Sequence, residues 1–252
     1  MIGWVYRSSR AVAHTAIRIL FRFRAHGTEN VPTTGPLIVA ANHTSFLDPL
    51  LVGCALPRPI HYVMRANLLR VPILGWWFRA VGTIPVDRDA PGRGAIDAAL
   101  TGLENDGVLC VFPEGTRSRD GRLNPFKRGL LLLARRSGAS VLPTAVTGSF
   151  AAWPAHRRLP RLRRCAVHYG KPMTADELLA EGGLEQLRLR IAAMSGQSLA
   201  DPDSNSDLDP ADPAVSSSRR VVSTSASHPA SHRHSPTNSP TQVPEGPAPG
   251  RA

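Results

Sequence analysis

The chain has 252 residues, 42% of them hydrophobic, which is enough to bury one substantial core and too few for several large domains. Its formal net charge is +11, and the excess lies in residues 1–196, because residues 197–252 contain more acids than bases. Such a field attracts nucleic acid, anionic lipid or a phosphorylated substrate, and composition alone does not choose among them. Three separated cysteines without C-x-x-C spacing argue against a disulfide framework or a zinc site and indicate buried thiols in a reducing compartment.

Residues 1–26 are predicted to form an amphipathic helix. Ile2, Val5, Val12, Ala16, Ile19 and Phe23 line one side, and Arg7, Arg10, His14, Arg18 and Arg22 line another. Arginines interrupt the segment too often for a membrane span of about 20 apolar residues. A basic helix with Trp4, Phe21 and Phe23 beside its apolar side suits a bilayer surface. The alternative is a helix that packs on the protein's own core and exposes its basic side to water.

Residues 27–196 alternate between apolar runs and helical patterns. The predicted strands cover residues 36–42, 60–64, 82–86, 108–112, 141–148 and 165–170, and most are apolar throughout, as in strands covered on both faces. The predicted helices cover residues 93–107, 126–138 and 174–194, the last broken around Gly182–Gly183. This alternation predicts an α/β fold, with a mostly parallel or mixed sheet flanked by helices.

Residues 197–252 form a segment of different character. Proline, serine, aspartate and small residues dominate it, so it buries too little apolar surface to offset its ordering entropy. We expect a disordered C-terminal tail. Its deletion is expected to leave activity largely unaffected.

His43 and Asp48 follow the first apolar strand. Five residues along a continuous helix would leave the two side chains about 140° apart. If the strand ends near Ala41, and Thr44 or Ser45 caps a helix whose first turn holds Asp48, the imidazole can reach the carboxylate. A carboxylate on one ring nitrogen leaves the other nitrogen as a base. The alternative is that both residues form ordinary caps at a strand–helix junction.

A second polar segment, FPEGTRS (112–118), follows the strand at 108–112. Gly115 allows backbone amides to approach an anion, and Arg117 can bind phosphate through two N–H groups. The exits of parallel strands gather at one edge, so Arg117 and His43 are expected to face one cleft. The alternative is a surface turn with a solvated arginine. Arg65 and Arg88 lie near an aromatic cluster at 76–78, for which a core position is the default.

Four segments resemble the motif blocks of the glycerolipid acyltransferases. They are NHTSFLDP (42–49), GTIPVDR (82–88), FPEGTRS (112–118) and VLPTAVTG (141–148), in this order. Within that superfamily the chain looks most like the bacterial 1-acylglycerol-3-phosphate acyltransferases. The resemblance covers roughly residues 30–170, and four ordered blocks are far more specific than any one alone.

The resemblance implies a reaction and roles for the site residues. A fatty acyl group would move from an acyl-CoA or acyl carrier protein thioester to the free hydroxyl of lysophosphatidic acid, giving phosphatidic acid in phospholipid biosynthesis. His43 would be the general base and Asp48 its orienting partner. The acceptor phosphate would be bound by Glu114, Gly115, Thr116 and Arg117, with Arg88 and Arg65 adding to the site, and Pro143 would shape the donor region. No metal, cofactor or covalent acyl-enzyme is expected, and the enzyme would sit at the cytoplasmic face of the cell membrane as a peripheral or monotopic protein.

Three rival readings remain. The same motifs fit an acyltransferase for glycerol 3-phosphate, another lysophospholipid or a lyso-ornithine lipid. A thioesterase or lipase could use His43 and Asp48, although the chain has no G-x-S-x-G nucleophile elbow. A basic nucleic-acid or membrane-binding module is disfavoured, because there is no zinc-finger spacing or RNP-like aromatic pattern.

Overall fold

The computed structural model describes residues 4–65, 83–86, 93–157 and 159–201. The chain divides into two units, Met1–Ser206 and Asp207–Ala252. The second unit lies outside the described residues, so the prediction of a disordered tail stays a prediction.

The described strands form one sheet. They are β1 (Arg24–His26), β2 (Leu37–Ala41), β3 (His61–Arg65), β4 (Thr83–Val86), β5 (Val108–Val111), β6 (Ser140–Thr147) and β7 (Ala166–Tyr169), in the spatial order β1-β7-β6-β2-β5-β3-β4. Every neighbouring pair is parallel except β6 and β7, which are antiparallel. The predicted α/β class with a mostly parallel sheet is confirmed. Strand β1 was not predicted.

Helices connect the strands and cover both faces of the sheet. They are α1 (Trp4–Leu20), α2 (Asp48–Ala55), α3 (Arg93–Thr101), α4 (Gly129–Ser137), α5 (Ser149–Ala152), α6 (Ala175–Leu179) and α7 (Gly183–Ser195), with a 3-10 turn at Thr28–Asn30. The predicted break at Gly182–Gly183 separates α6 from α7. Gly182 has a φ of 73°, and a Cβ on Gly183 would lie 2.4 Å from the carbonyl oxygen of Leu178, so only glycines fit this turn.

The central strand β2 is buried on both sides. Leu37 and Val39 pack with α2 in one apolar cluster, and Ile38 and Ala40 pack with α4 and α7 in another. All five residues of β2 are fully buried, which explains why its sequence is apolar without alternation. The site residues that follow β2 therefore start from a rigid position.

Helix α1 packs against α2, and its core-facing side differs from the predicted one. Ile17 is buried, whereas Val12 and Ile19 of the predicted apolar side are exposed. Phe21 and Phe23, for which the sequence left a bilayer surface and the protein's own core as alternatives, lie in the core. The helix thus has one apolar side that packs inward and further apolar residues that face outward. Among the described residues no helix is long and apolar enough to cross a membrane.

The folded body extends past the predicted boundary at residue 196. Leu199 pairs with Leu123 as an isolated β-bridge, and the backbone N–H of Ala200 donates to the carbonyl of Leu123 at 3.0 Å. The buried Arg188 donates to the carbonyls of Leu123 and Ala200, at 2.9 and 2.8 Å. Residues 197–201 therefore pack as part of the α/β body.

Candidate active site

Two loops meet at the carboxyl ends of the adjacent strands β2 and β5. The strands run parallel with Ala40 beside Val111, so the residues that follow each strand emerge at the same edge of the sheet. The backbone N–H of Ser118 donates to the carbonyl of His43 at 2.8 Å. The His43 loop and the 112–118 loop are thus hydrogen-bonded to each other directly.

His43 and Asp48 form a hydrogen-bonded pair. His43 Nδ1 lies 3.0 Å from Asp48 Oδ2. The Asp48 side chain is fully buried, whereas the His43 side chain is 18% exposed. The carboxylate of the pair is therefore shielded from solvent, and the imidazole is partly exposed to it.

The Asp48 carboxylate also organises the backbone between the two residues. Its Oδ2 accepts hydrogen bonds from the N–H groups of Thr44 and Ser45, both at 2.7 Å. A carboxylate oxygen is a hydrogen-bond acceptor, and the ring tautomer that suits this contact has its proton on Nδ1 and its lone pair on Nε2. Asp48 Oδ2 thus contacts the His43 ring and also accepts the backbone N–H groups of Thr44 and Ser45, as a capping residue does.

Helix α2 starts later than predicted. It begins at Asp48 itself, with Leu47 at the N-cap position and no side-chain cap. Ser45 Oγ accepts the N–H of Leu47 at 3.1 Å and donates to the carbonyl of Trp153 at 2.7 Å. The loop is therefore tied to the segment after α5 as well as to the helix.

Two residues of the 112–118 segment contact His43, one at its ring and one at its backbone. The ring of Phe112 stacks on the imidazole, with ring centroids 4.0 Å apart and planes 21° apart. Glu114 Oε1 accepts the backbone N–H of His43 at 2.6 Å, and its Oε2 accepts the N–H of Asn124 at 2.9 Å. Both the ring and the backbone of His43 are therefore held by the neighbouring loop.

Glu114 is fully buried, with no exposed surface through which it could touch an acceptor. Burial raises the pKa of this carboxyl to about 7, against the opposing effect of the hydrogen bonds from the Asn124 and His43 backbones, and the charge on Asp48 raises it further. The resemblance implied a substrate contact for Glu114. Its contacts are with the backbone of the site loops instead.

Arg117 lies beside the His43 loop. Its guanidinium carbon is 3.7 Å from the centroid of the Phe46 ring, a cation–π contact, and Phe46 in turn packs on Trp153 with centroids 5.4 Å apart. Phe46 belongs to the loop between His43 and Asp48. The two loops therefore bring the predicted base and the predicted phosphate-binding arginine to one rim.

Gly115 and Thr116 form the turn that leads to Arg117. Gly115 has a φ of 73°, and its N–H donates to the carbonyl of Phe112 at 3.0 Å. A Cβ at this position would lie 2.7 Å from the Lys127 ammonium nitrogen. The glycine thus allows the left-handed turn and leaves room for the Lys127 side chain beside it. Thr116 is half-buried.

The remaining predicted residues are placed only in part. The backbone of Arg65 ends β3 at the same edge of the sheet, and its side chain lies outside the described part of the chain. Arg88 is also outside the described residues. Pro143 is buried within β6, and its carbonyl accepts the N–H of Gly170 at 2.8 Å.

Sequence reasoning missed the role of Asn42. This fully buried side chain accepts the N–H of Val146 at 2.7 Å and donates to the carbonyl of Val146 at 3.0 Å and to Gln197 Oε1 at 2.6 Å. These bonds connect Asn42, the residue after β2 and before His43, to Val146 of β6. A polar residue that ends a fully apolar strand was the available signal, since a buried amide needs partners.

Comparisons with known proteins show the family of the chain. A family model described as Acyltransferase matches residues 22–147, half of the chain. The chloroplastic 1-acyl-sn-glycerol-3-phosphate acyltransferase of Arabidopsis thaliana is 31% identical over 146 residues, covering 56% of this chain and 40% of its own length. The 1-acyl-sn-glycerol-3-phosphate acyltransferase of Bacillus subtilis is 28% identical over 138 residues, covering 53% of this chain and 68% of its own length.

The fold also matches a solved structure. The crystal structure of the 1-acyl-sn-glycerophosphate acyltransferase from Thermotoga maritima aligns with a TM-score of 0.62 at 23% identity, covering 75% of this chain and 80% of that one. This likeness shows the shared fold. The chain spans about 40% of the length of the plant relative. With the family match over both site loops, the chain belongs to the acyltransferase family.

Proposed function

We propose that the protein transfers a fatty acyl group from an acyl-CoA or acyl carrier protein thioester to the free hydroxyl of 1-acyl-sn-glycerol 3-phosphate, forming phosphatidic acid. The observation that carries the proposal is the His43–Asp48 pair, 3.0 Å apart, on a loop hydrogen-bonded to the loop that bears Arg117. The names of the relatives from Arabidopsis thaliana and Bacillus subtilis supply the acceptor.

His43 acts as the general base. Its Nδ1–H donates to Asp48, so the lone pair on Nε2 is available to take the proton of the acceptor hydroxyl. The oxygen then attacks the carbonyl carbon of the thioester and forms a new carbon–oxygen bond, giving a tetrahedral intermediate. The buried carboxylate of Asp48 stabilises the imidazolium that results, and in a site shielded from water this attraction is stronger than at the surface.

The same histidine completes the reaction as an acid. When the tetrahedral intermediate collapses, the carbon–sulfur bond breaks and the thiolate leaves. His43 returns its proton to the sulfur, so the products are the new ester and a free thiol, and the base is regenerated. Glu114 holds the backbone N–H of His43 and Phe112 supports its ring, so both serve as positioning residues.

Arg117 binds the phosphate of the acceptor. The guanidinium carbon lies over the Phe46 ring, and a guanidinium can bind two phosphate oxygens through two of its N–H groups. Because Phe46 lies on the same loop as His43, phosphate binding at Arg117 orients the acceptor hydroxyl toward the base. The basic charge of residues 1–196 suits this anionic substrate and a reaction at the cytoplasmic membrane surface.

The proposal is tested by acyl transfer with purified protein and labelled acyl-CoA or acyl carrier protein. Lysophosphatidic acid, glycerol 3-phosphate, a lysophospholipid with a larger headgroup and a lyso-ornithine lipid serve as competing acceptors. We expect preference for lysophosphatidic acid and loss of transfer in His43→Ala, with the circular dichroism spectrum unchanged. Preference for an acceptor without a phosphomonoester would overturn the substrate assignment. Release of free fatty acid at one rate with and without acceptor would indicate a hydrolase.

A further inference from the structure

The side chain of Gln197 contacts two segments beside the active site at once. Its Oε1 accepts a hydrogen bond from Asn42 Nδ2, and its Nε2 donates one to the carbonyl of Gly121, both at 2.6 Å. Asn42 immediately precedes His43, and Gly121 lies three residues after Ser118. Gln197 itself lies outside the four motif blocks, and no proposed role uses it.

These contacts belong to a closed ring of hydrogen bonds that includes the backbone of His43. The carbonyl of His43 accepts the N–H of Ser118 at 2.8 Å, and Ser118 Oγ accepts the N–H of Gly121 at 3.0 Å. Gln197 connects Gly121 to Asn42, and the peptide bond from Asn42 to His43 closes the ring. We call these five residues the hydrogen-bond ring. Because it is closed, His43 cannot move relative to the turn after Ser118 without stretching at least one of its bonds.

The hydrogen-bond ring needs an amide at position 197. Asn42 Oδ1 accepts the N–H of Val146 at 2.7 Å, and Nδ2 donates to the carbonyl of Val146 at 3.0 Å, which fixes the orientation of the Asn42 amide. The group that faces Asn42 must therefore accept a hydrogen bond, and the group that faces the carbonyl of Gly121 must donate one. A glutamine side chain does both, whereas a carboxylate only accepts and an ammonium only donates.

Much of the hydrogen-bond ring is shielded from water. Asn42 and Ser118 are buried, and Gln197 is half-buried. A backbone bond joins the same two segments, since the N–H of Leu123 donates to the carbonyl of Ser198 at 2.9 Å. Hydrogen bonds in the interior of a protein are electrostatically stronger than those exposed to water. The chain after α7 is therefore attached firmly to the loop that supports His43.

We infer that Gln197 is a positioning residue that acts on His43 through the hydrogen-bond ring. The inference rests on the proposed acyl transfer, in which Nε2 of His43 meets the acceptor hydroxyl. Asp48 and Phe112 hold the imidazole, and Glu114 accepts the backbone N–H. The hydrogen-bond ring holds the remaining backbone group of His43, its carbonyl. Because a displacement of about 1 Å of a reacting group can cost about 100-fold in rate, Gln197 contributes to kcat through the position of the base.

The first test compares Gln197→Ala with a variant that loses similar contacts far from the site. Arg58 donates to the carbonyls of Pro32 and Gly35, at 2.8 and 2.7 Å, before the start of β2 and therefore at the opposite end of that strand from His43. Both Gln197→Ala and Arg58→Met should lower the Tm. Only Gln197→Ala should lower kcat, by about 10- to 100-fold, with little change in the acceptor KM. A loss of kcat in both variants, or in neither, would overturn the inference.

Gln197→Glu provides a matched change of nearly the same shape. An ionised glutamate accepts from Asn42 and cannot donate to the carbonyl of Gly121, whereas a protonated one does both. The ratio of its kcat to that of the wild type should therefore be low above neutral pH and rise as the pH falls toward about 5, where a carboxyl group begins to protonate. A ratio that stays constant with pH would contradict the role of the donor and with it the inference.

Ser118→Ala opens the hydrogen-bond ring at a second point, because it removes the acceptor for the N–H of Gly121. Residues that act through one network do not have additive effects. The Ser118→Ala/Gln197→Ala double variant should therefore lose little more kcat than the more impaired single variant. Losses that multiply would show that the two residues act separately and would refute the hydrogen-bond ring as the mechanism.

Hydrogen exchange measured by mass spectrometry tests the hydrogen-bond ring without the reaction. In Gln197→Ala, peptides that cover residues 43–48 and 118–124 should exchange faster than in the wild type, and in Arg58→Met they should not. Unchanged exchange of both peptides in Gln197→Ala would sink the inference. Faster exchange in Gln197→Ala, found together with a wild type that transfers no acyl group, would support the hold of Gln197 on His43 and count against the proposed function alone.

Discussion

Replacing Asp48 with asparagine removes the negative charge beside His43 and preserves the shape of the side chain. An amide oxygen placed at the position of Oδ2 can accept the same three hydrogen bonds, from Thr44, Ser45 and the His43 ring. The amide nitrogen then takes the place of Oδ1, which has no hydrogen-bond partner among the described residues. Asp48→Asn therefore isolates the electrostatic contribution of the carboxylate from its structural one.

The expected loss follows from the 3.0 Å separation of the two groups. A hydrogen bond to a charged partner contributes about 1.5–3 kcal/mol, which sets a lower limit of about tenfold in kcat. At an effective dielectric constant of about 20, the attraction between imidazolium and carboxylate at this distance is about 5 kcal/mol. This attraction exists only after proton transfer, so kcat should fall by about 10- to 10⁴-fold with little change in the acceptor KM.

The assay is steady-state acyl transfer with a thermal unfolding control. Asp48→Asn should fold with a Tm above that of Asp48→Ala, because it keeps the acceptor for both backbone N–H groups and leaves only its amide N–H groups without a partner among the described residues. In Asp48→Ala the N–H groups of Thr44 and Ser45 lose their buried acceptor, which costs about 1–3 kcal/mol for each group, so the Tm should fall by several degrees as well. A folded Asp48→Asn protein with wild-type kcat would refute the assignment of His43 as a base supported by this carboxylate.

Three further predictions follow from the loops and the chain end. Burial raises the pKa of Glu114 to about 7 from an ordinary value of 4.5. The free energy of unfolding therefore contains a contribution from protonated Glu114 that is complete below pH 4.5 and is lost as the pH rises through about 7. Glu114→Gln should lack that pH dependence in denaturant unfolding and should lower kcat, because one of two backbone N–H groups loses its acceptor. Gly115→Ala should cost about 1–2 kcal/mol in the left-handed turn and raise the acceptor KM, since this turn positions Arg117; an unchanged KM would contradict that role. Deletion of residues 202–252 should leave Tm and activity unchanged, whereas deletion from residue 197 should lower the Tm by several degrees, and equal melting of the two truncations would contradict the packing of residues 197–201.

Much of the fold could be predicted from local patterns in the sequence. Strand β2 could be predicted because a strand buried on both faces must be apolar at every position. The break between α6 and α7 could be predicted because two adjacent glycines interrupt the helical pattern; Gly182 takes a left-handed φ, and a Cβ on Gly183 would meet the carbonyl oxygen of Leu178. Strand β1 could not, since three exposed residues acquire strand geometry only by pairing with β7, which lies far along the chain.

The site was predicted at the level of its location. His43 and Arg117 each follow a buried strand, and the exits of parallel strands meet at one edge, so their proximity could be expected without coordinates. The inward turn of Glu114 could not be expected. Its motif position is the same whether the carboxylate faces solvent or the backbone of His43, and only the packing of the two loops selects the second.

The amino-acid sequence by itself determined the alternation of strands and helices and the positive charge of the first 196 residues, and it placed His43 and Asp48 five residues apart after a buried strand. These are properties of neighbouring residues, because hydrophobic periodicity and motif spacing are read along the chain. The tertiary structure decided which side of α1 packs inward and which polar groups are buried. It also decided that Asn42 is hydrogen-bonded to Gln197. Those outcomes depend on contacts between distant segments, and a side chain's partners are settled only when the sheet brings those segments together.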